Sequence, residues 1–347
     1  MKISSIFKYI FIVFAIGIIA YSGYRIYNQK GKETTEVQEE NIVAEEEIIK
    51  DIRLEITNYD NINPLITKNK EIIDIGTLIF EPLFTLTKDY QLQPCLAKEC
   101  SKTGDNTYVV KIANNVSWHD NTPLMSKDIQ FTIDLLKSGN SIYKLNVDHI
   151  ASTEIIDATT LKIILDANIP LFEYNLIFPI MSSNYYYGED FFSSAKIPIG
   201  TGRYKISNIS TNNITLTRHE KWKSTTGIEE IKINNIKINI YSSMGEAYNS
   251  FKIGNIDVLN TSNPNFQEYV GTIGFNKTEY PGRQFDFLSL NCKDTILRDK
   301  AVRQAISYAI DKSNIVSGVY NNQNITAEYP LDYGNYLYTT NNRELWI

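Results

Sequence analysis

The sequence predicts a mixed α/β fold, and three observations predict it. From residue 51 onward, strand-like alternation of apolar and polar residues gives way repeatedly to helical spacing. The stretch "IKINIYSSMGEAYNSFKIGNIDVLN" (236–260) has the spacing of a βαβ unit, with a second strand expected after Gly254. At 347 residues and 43% hydrophobic content, the chain can bury a sizeable core and has room for two domains.

The elements follow in order. Residues 1–30 place Lys2 and Lys8 ahead of an uncharged apolar run from Tyr9 to Tyr24, which reads as a signal sequence or a membrane anchor helix. Residues 31–51 hold seven glutamates and few large apolar groups, so they read as an acidic flexible tether; a short amphipathic helix over 41–50 is the alternative. About 20 such residues reach on the order of 25 Å, enough to hold a domain just off a membrane. Beyond the tether, "IRLEITNY" (52–59) and "TYVVKIA" (107–113) predict strands, and "EIIDIGTLIFEPLFTL" (71–86) predicts a helix as far as Pro82. "STEIIDATTLKIILD" (152–166) reads as two strands around an Asp-Ala-Thr turn, and "GTGRYKISNISTNNITLTRHEKW" (200–222) as a hairpin. "FDFLSLN" (285–291) is strand-like, and 297–320 gives two helices, the first with a buried stripe of Ala301, Val302, Ala305, Ile306 and Ala309.

"NVSWHDNTPLMSKDIQFTIDLLKS" (115–138) sets Trp118, His119 and Asp120 side by side in a chain with three histidines. Asn121, Thr122 and Pro123 predict a turn, after which a helix starts at Ser126. Ser126 is expected to cap that helix, Asp128 to favour its dipole, and Gly139 to close it in left-handed geometry. Ile129, Ile133 and Leu136 share its apolar face. A metal site needs three or four clustered ligands, and His149 and His219 stand apart in sequence, so His119 reads as a turn residue.

The chemistry classes narrow quickly. A formal net charge of −6 with singly scattered lysines argues against nucleic acid as a partner. No GxSxG elbow, Walker loop, GxGxxG after a strand or HExxH occurs, so no catalytic residue, metal ligand or cofactor is assigned. Gly200-Thr201-Gly202 reads as a tight turn rather than an anion cradle. Cys95, Cys100 and Cys292 form neither a disulfide framework nor a zinc pattern; the first two read as small buried hydrophobes, although a bond between them is conceivable.

Taken together, "FEPLFTLTKDYQLQPCLA", "YVVKIANNVSWHDNTPLMSKDIQFTIDLL", "PIGTGRYKI", "FKIGNIDVL" and "LRDKAVRQAISYAIDKSNIV" are similar, in order and spacing, to the extracellular solute-binding proteins of ABC importers, in the oligopeptide, dipeptide and nickel group (family 5). The resemblance implies a two-lobed periplasmic-binding-protein-like (type II) fold. The first lobe, residues 52–280, would be nearly complete, and residues 281–347 would begin a second, partial lobe whose helix lacks its cover. Relatives continue well past their equivalent of "VRQAISYAID", so the chain resembles a C-terminally truncated member.

The resemblance also implies a function: peptides, or another small solute, captured outside the bacterial membrane by lobe closure and delivered to permease subunits, without catalysis or cofactor. Cleft-facing candidates are Thr67, Lys68 and Asn69 after the first strand and Asn260, Thr261, Ser262 and Asn263 after the "G-x-I-D" segment, with Tyr143 as a further candidate. Small polar groups suit hydrogen bonding to a peptide main chain. The alternative is a membrane-anchored protein whose solute-binding-like lobe serves as a partner-binding or sensing module.

Overall fold

The computed structural model describes residues 49–224, 231–263, 265–270, 274–280, 282 and 284–327. The proposed N-terminal helix and the tether as far as residue 48 lie outside the described residues. No described helix is long and apolar enough to cross a membrane.

The described residues open with β1 (Ile49–Thr57), so Ile49 and Lys50 belong to a strand and not to a helix over 41–50. Then come α1 (Lys70–Gly76), β2 (Phe84–Leu86), β3 (Leu92–Pro94), β4 (Ala97–Gly104), β5 (Thr107–Ile112), α2 (Ser126–Ser138), β6 (Ile150–Asp157) and β7 (Thr160–Leu165). The hairpin β8 (Tyr204–Ile209) and β9 (Asn213–Arg218) precedes β10 (Ile233–Tyr241), α3 (Met244–Lys252), α4 (Phe266–Val270), α5 (Lys300–Ala309) and α6 (Lys312–Gly318).

Two four-stranded sheets carry the architecture. One runs β1-β10-β9-β8, with β1 and β10 parallel in a register that sets Ile49 opposite Ile233 and Thr57 opposite Tyr241. The other, β4-β5-β7-β6, is antiparallel throughout, and α2 packs on its β6–β7 side. One apolar cluster joins them, from Ile56 and Ile238 in the first sheet to Val110 and Ile163 in the second and Ile133 and Leu136 of α2.

Local chemistry explains the helix ends, with two corrections. Ser126 does not cap α2: its hydroxyl donates to the Asp157 carbonyl, and the Met125 amide instead donates to the Asp128 carboxylate at 2.9 Å. Asp128 also accepts from Trp118 Nε1 (3.3 Å) and from the Ser183 amide (2.8 Å) and hydroxyl (2.6 Å), so a fully buried carboxylate has every contact it needs. Gly139 ends α2 in extended geometry (φ −98°, ψ −179°), not left-handed. Its missing Cβ leaves room for the Phe192 ring, whose nearest atom would lie 2.0 Å from that Cβ.

Three further expectations fail for tertiary reasons. The helix expected from residue 71 as far as Pro82 ends at Gly76, because residues from Leu78 onward turn their backbone groups to distant partners: Gly202 and Tyr204 donate to the Ile79 and Leu78 carbonyls, and Phe84 donates to Leu176. Residues 255–260 and 285–291 form no strand, since a strand needs a neighbour to take its backbone groups and no described strand pairs with either. The stripe of Ala301, Val302, Ala305, Ile306 and Ala309 lies on α5 as expected, but α5 buries none of its residues. Cys95 is buried, Cys100 half-buried, and both remain thiols.

The "WHD" cluster resolves into a backbone clamp on the Gly200–Gly202 turn. The His119 amide donates to the Gly200 carbonyl (3.0 Å), and the Gly200 amide donates to His119 Nδ1 (3.2 Å). Nδ1 therefore carries no proton, which leaves Nε2 to donate to the Gly202 carbonyl at 3.1 Å. His219, expected to stand alone, meets His119 edge to face with ring centroids 5.0 Å apart, and its Nδ1 donates to the same Gly202 carbonyl at 3.3 Å. Burial, above all, pulls the His119 imidazole down from 6.5 to about 4; neighbouring His219 and Lys205 push the same way, against the Gly202 bond and Asp120.

Two outcomes test this clamp. A Cβ on Gly200 would lie 1.9 Å from the Ile79 carbonyl oxygen, a backbone atom that cannot step aside. Gly200→Ala is expected to lower the urea-unfolding free energy by about 1–3 kcal/mol or more. Gly245→Ala in α3, where the nearest atom is 3.7 Å away, should instead be neutral or stabilising by up to about 1 kcal/mol. Second, an unfolded His119 titrates near its ordinary 6.5, so on acidification the unfolded chain gains a proton that the folded chain refuses until about 4. His119's contribution is full above pH 6.5 and fades towards pH 4, at a cost of roughly 3 kcal/mol. Unfolding free energy measured from pH 7 to 4 should fall less steeply in His119→Asn, which keeps an acceptor for Gly200 but cannot titrate.

Candidate functional site

The carboxyl end of the parallel pair β1 and β10 gathers the two loops that the sequence singles out. In open α/β sheets, that end is where chain segments diverge and leave a crevice for a ligand. β1 leads into residues 58–69, and β10 leads through α3 into residues 255–263.

β1 sorts its side chains by alternation. Ile52, Leu54 and Ile56 join the core, while Arg53, Glu55 and Thr57 take the opposite face, where each holds a different segment. Arg53 makes a two-point contact with Asp257 (Nη2 to Oδ1 2.6 Å, Nε to Oδ2 3.0 Å), and its carbonyl accepts from the Asp257 amide at 2.8 Å. The guanidinium holds the Asp257 carboxyl below the usual carboxylate range. Glu55 Oε1 accepts from the Asn260 amide at 2.9 Å. Thr57 donates through its amide and its hydroxyl to Glu71 of α1. Burial pushes the Glu55 carboxyl up to about 7, opposed by the Asn260 amide and reinforced by the charge of Glu71.

Within the first loop, Thr67 and Asn69 hold the turn together. Thr67, 1% exposed, donates its hydroxyl to Asp60 (2.6 Å) and accepts from the Asn69 amide (3.1 Å). Asn69 caps α1 by accepting from Glu71 (2.8 Å) and Ile72 (3.3 Å), while its amide group donates to the carbonyls of Thr57 (3.0 Å) and Asn58 (2.7 Å). Asp60 also accepts the Lys68 amide at 2.9 Å. Burial raises the Asp60 carboxyl, but the bonds from Thr67, Lys68 and Asn61 together outweigh it and hold it below the ordinary range. Lys68 presents an exposed side chain.

The second loop is braced from beneath and left open above. Thr261 shares a hydrogen bond with the Tyr248 hydroxyl (2.8 Å) and accepts from the Asn263 amide (3.1 Å); Asn260 Oδ1 accepts from Tyr280 (2.6 Å). Asn260 and Ser262 are exposed. Tyr143 lies apart, in the turn after α2. Its ring packs half-buried against the core, and burial raises its phenol.

Glu55, Glu71 and Asp257 escaped the sequence reading because isolated carboxylates carry no motif; the alternation of "IRLEITNY" was the available signal. A shallow pocket beside Glu81 is a structural joint, since Trp222 Nε1 (3.0 Å) and the Thr201 hydroxyl (2.8 Å) occupy that carboxylate. Arg303 and Asp311 also serve local ends: the first donates to the Leu297 and Arg298 carbonyls, the second accepts from the Asn314 amide. Among the described residues no group of three His, Cys, Asp or Glu stands where it could hold a metal ion.

Comparison with known proteins places this chain in a family. The sequence profile of bacterial extracellular solute-binding proteins, family 5, matches residues 91–345. A putative ABC transporter peptide-binding protein of Brucella ovis is 25% identical over 236 residues, covering 65% of this chain and 44% of its own. The dipeptide-binding protein DppE of Bacillus subtilis is 22% identical over 269 residues, covering 70% and 48%. This chain thus spans about half the length of these relatives. Among solved structures, NikZ from Campylobacter jejuni in complex with Ni(L-His) superposes with a TM-score of 0.67 at 24% identity, over 82% of this chain and 58% of that one. The oligopeptide-binding protein AppA of Bacillus subtilis, in complex with a nonapeptide, gives 0.65 at 18% identity, over 84% and 60%. The fold is that of the periplasmic-binding-protein-like α/β class, and the chain belongs to the family 5 bacterial extracellular solute-binding proteins, a family that binds solutes and is not enzymatic.

Proposed function

We propose that the chain is the substrate-binding component of a bacterial ABC importer and holds a short peptide, or a solute of similar polarity, at the carboxyl end of β1 and β10. The convergence of residues 67–69 and 260–263 on the polar face of β1 carries this reading. Lys68 and Ser262 turn exposed side chains outward from loops fixed by buried contacts, an arrangement suited to a ligand recognised through its main chain and a terminal charge. Thr67, Asn69, Thr261 and Asn263 act as the frame of the site, Asn260 and Ser262 as its surface, and Tyr143 as support for the core.

In this proposal residues 52–280 form the first lobe and 281–347 begin the second, which closes over the solute. Residues 1–30 hold the protein at the outer face of the membrane or direct its export, 31–51 act as the tether, and permease subunits receive the solute. The peptide and dipeptide relatives favour a peptide over a nickel complex, although NikZ shows that the same fold takes Ni(L-His).

Calorimetric titration of the full-length chain with a panel of tri- to pentapeptides, and separately with nickel and histidine, tests the reading. A peptide should bind saturably, and Ser262→Ala and Lys68→Ala should each weaken it by about 3- to 10-fold, the worth of one hydrogen bond. Absence of peptide binding, or binding indifferent to both substitutions, would contradict it.

A further inference from the structure

Glu55 stands beneath the second loop, where its Oε1 accepts the amide of Asn260, the loop's first residue. Beside it stands Glu71, whose own carboxylate is occupied by the Thr57 amide and hydroxyl. The two carboxylates are therefore unequal: Glu71 takes two donors from β1, while the one bond shown for Glu55 comes from the loop. On the same face, Arg53 and Asp257 are engaged with each other, and β10 sets Lys237 opposite Arg53 and the uncharged Asn239 opposite Glu55.

We propose that Glu55 is the positioning residue of the 260–263 loop, and that gain or loss of its single proton slackens or tightens that loop at the mouth of the binding site. An ionised carboxylate accepts an amide hydrogen more strongly than a carboxylic acid does. The relation is reciprocal: a bond that favours the ionised form of Glu55 is itself strengthened when Glu55 ionises. The other braces do not share this dependence, because they are the Arg53–Asp257 pair and the hydroxyl contacts of Tyr248 and Tyr280. Burial and the neighbouring Glu71 lift the Glu55 carboxyl to about 7, which sets the change within the neutral range. Solute capture would then depend on pH near neutrality even for a solute that does not titrate.

The inference rests on the proposal that this loop faces the solute, but its test needs no solute, so either can fail without the other. Amide hydrogen exchange at Asn260, corrected for the intrinsic dependence on pH, is followed by mass spectrometry in the full-length chain from pH 5 to 9. Protection should rise about 5- to 10-fold through a single transition near pH 7, and the transition should vanish in Glu55→Gln, which keeps the acceptor oxygen but has no proton to lose. A wild-type chain without the transition, or a transition that survives in Glu55→Gln, would overturn the inference. Should Glu55→Gln fail to fold, Glu71→Gln replaces it: removing the neighbouring charge should move the midpoint to lower pH, and an unmoved midpoint would overturn the inference.

Discussion

The close approach of the Gly200–Gly202 turn to the backbone at Leu78 and Ile79 is the contact on which the rest of the structure depends. Side chains at either glycine would strike carbonyl oxygens, so this approach exists only because the sequence supplies two hydrogen atoms there. Around it, His119 fixes the 117–123 turn, Thr201 reaches Glu81, and Tyr204 carries the chain directly into β8. The turn thus ties the segment after α1, the approach to α2 and the start of the β8–β9 hairpin through backbone groups rather than side-chain packing alone. That is why a Trp-His-Asp cluster that invites a catalytic reading is scaffold instead: its imidazole is committed on both nitrogens to backbone atoms, and its tryptophan to Asp128.

The candidate site follows from a second constraint, the twofold alternation of β1. One face gives Leu54 and Ile56 to the core, so the other is free to carry Arg53, Glu55 and Thr57, and each side chain there holds one of the segments around the candidate site. A single-residue slip in the pairing of β1 with β10 would send these three inward and dissolve the site. Because Leu54 and Ile56 lie on the buried face, the core specifies the register that holds the 58–69 and 255–263 segments in place.

Local patterns made much of the fold legible in the sequence. The β6–β7 and β8–β9 hairpins, β5, α2 and the two helices after residue 297 all rest on short-range signals: alternation, turn residues, or a 3.6-residue apolar stripe. What escaped depends on partners distant in sequence. The parallel pairing of β1 with β10, the meeting of His119 with His219, and the reach of Glu55 to Asn260 have no local signature. The errors have the same origin. Residues 285–291 have the pattern of a strand but no described neighbour to pair with, and the helix expected past Gly76 gives way to backbone bonds with the Gly202 turn. Ser126 had the chemistry of a cap, yet Met125 takes the N-cap position and the serine, one residue inside the helix, serves β6 instead. The site loops were identified by family resemblance, and the residues that brace them from β1 were not.

The central claim is that a solute sits at the carboxyl end of β1 and β10, between the loops at 67–69 and 260–263. Photo-crosslinking the full-length chain with short peptides that carry a benzophenone side chain, and mapping the adducts by mass spectrometry, tests it most directly. The account predicts adducts concentrated in these two loops and suppressed by excess unlabelled peptide. Competable adducts on the β4–β6 sheet, with none in either loop, would contradict it.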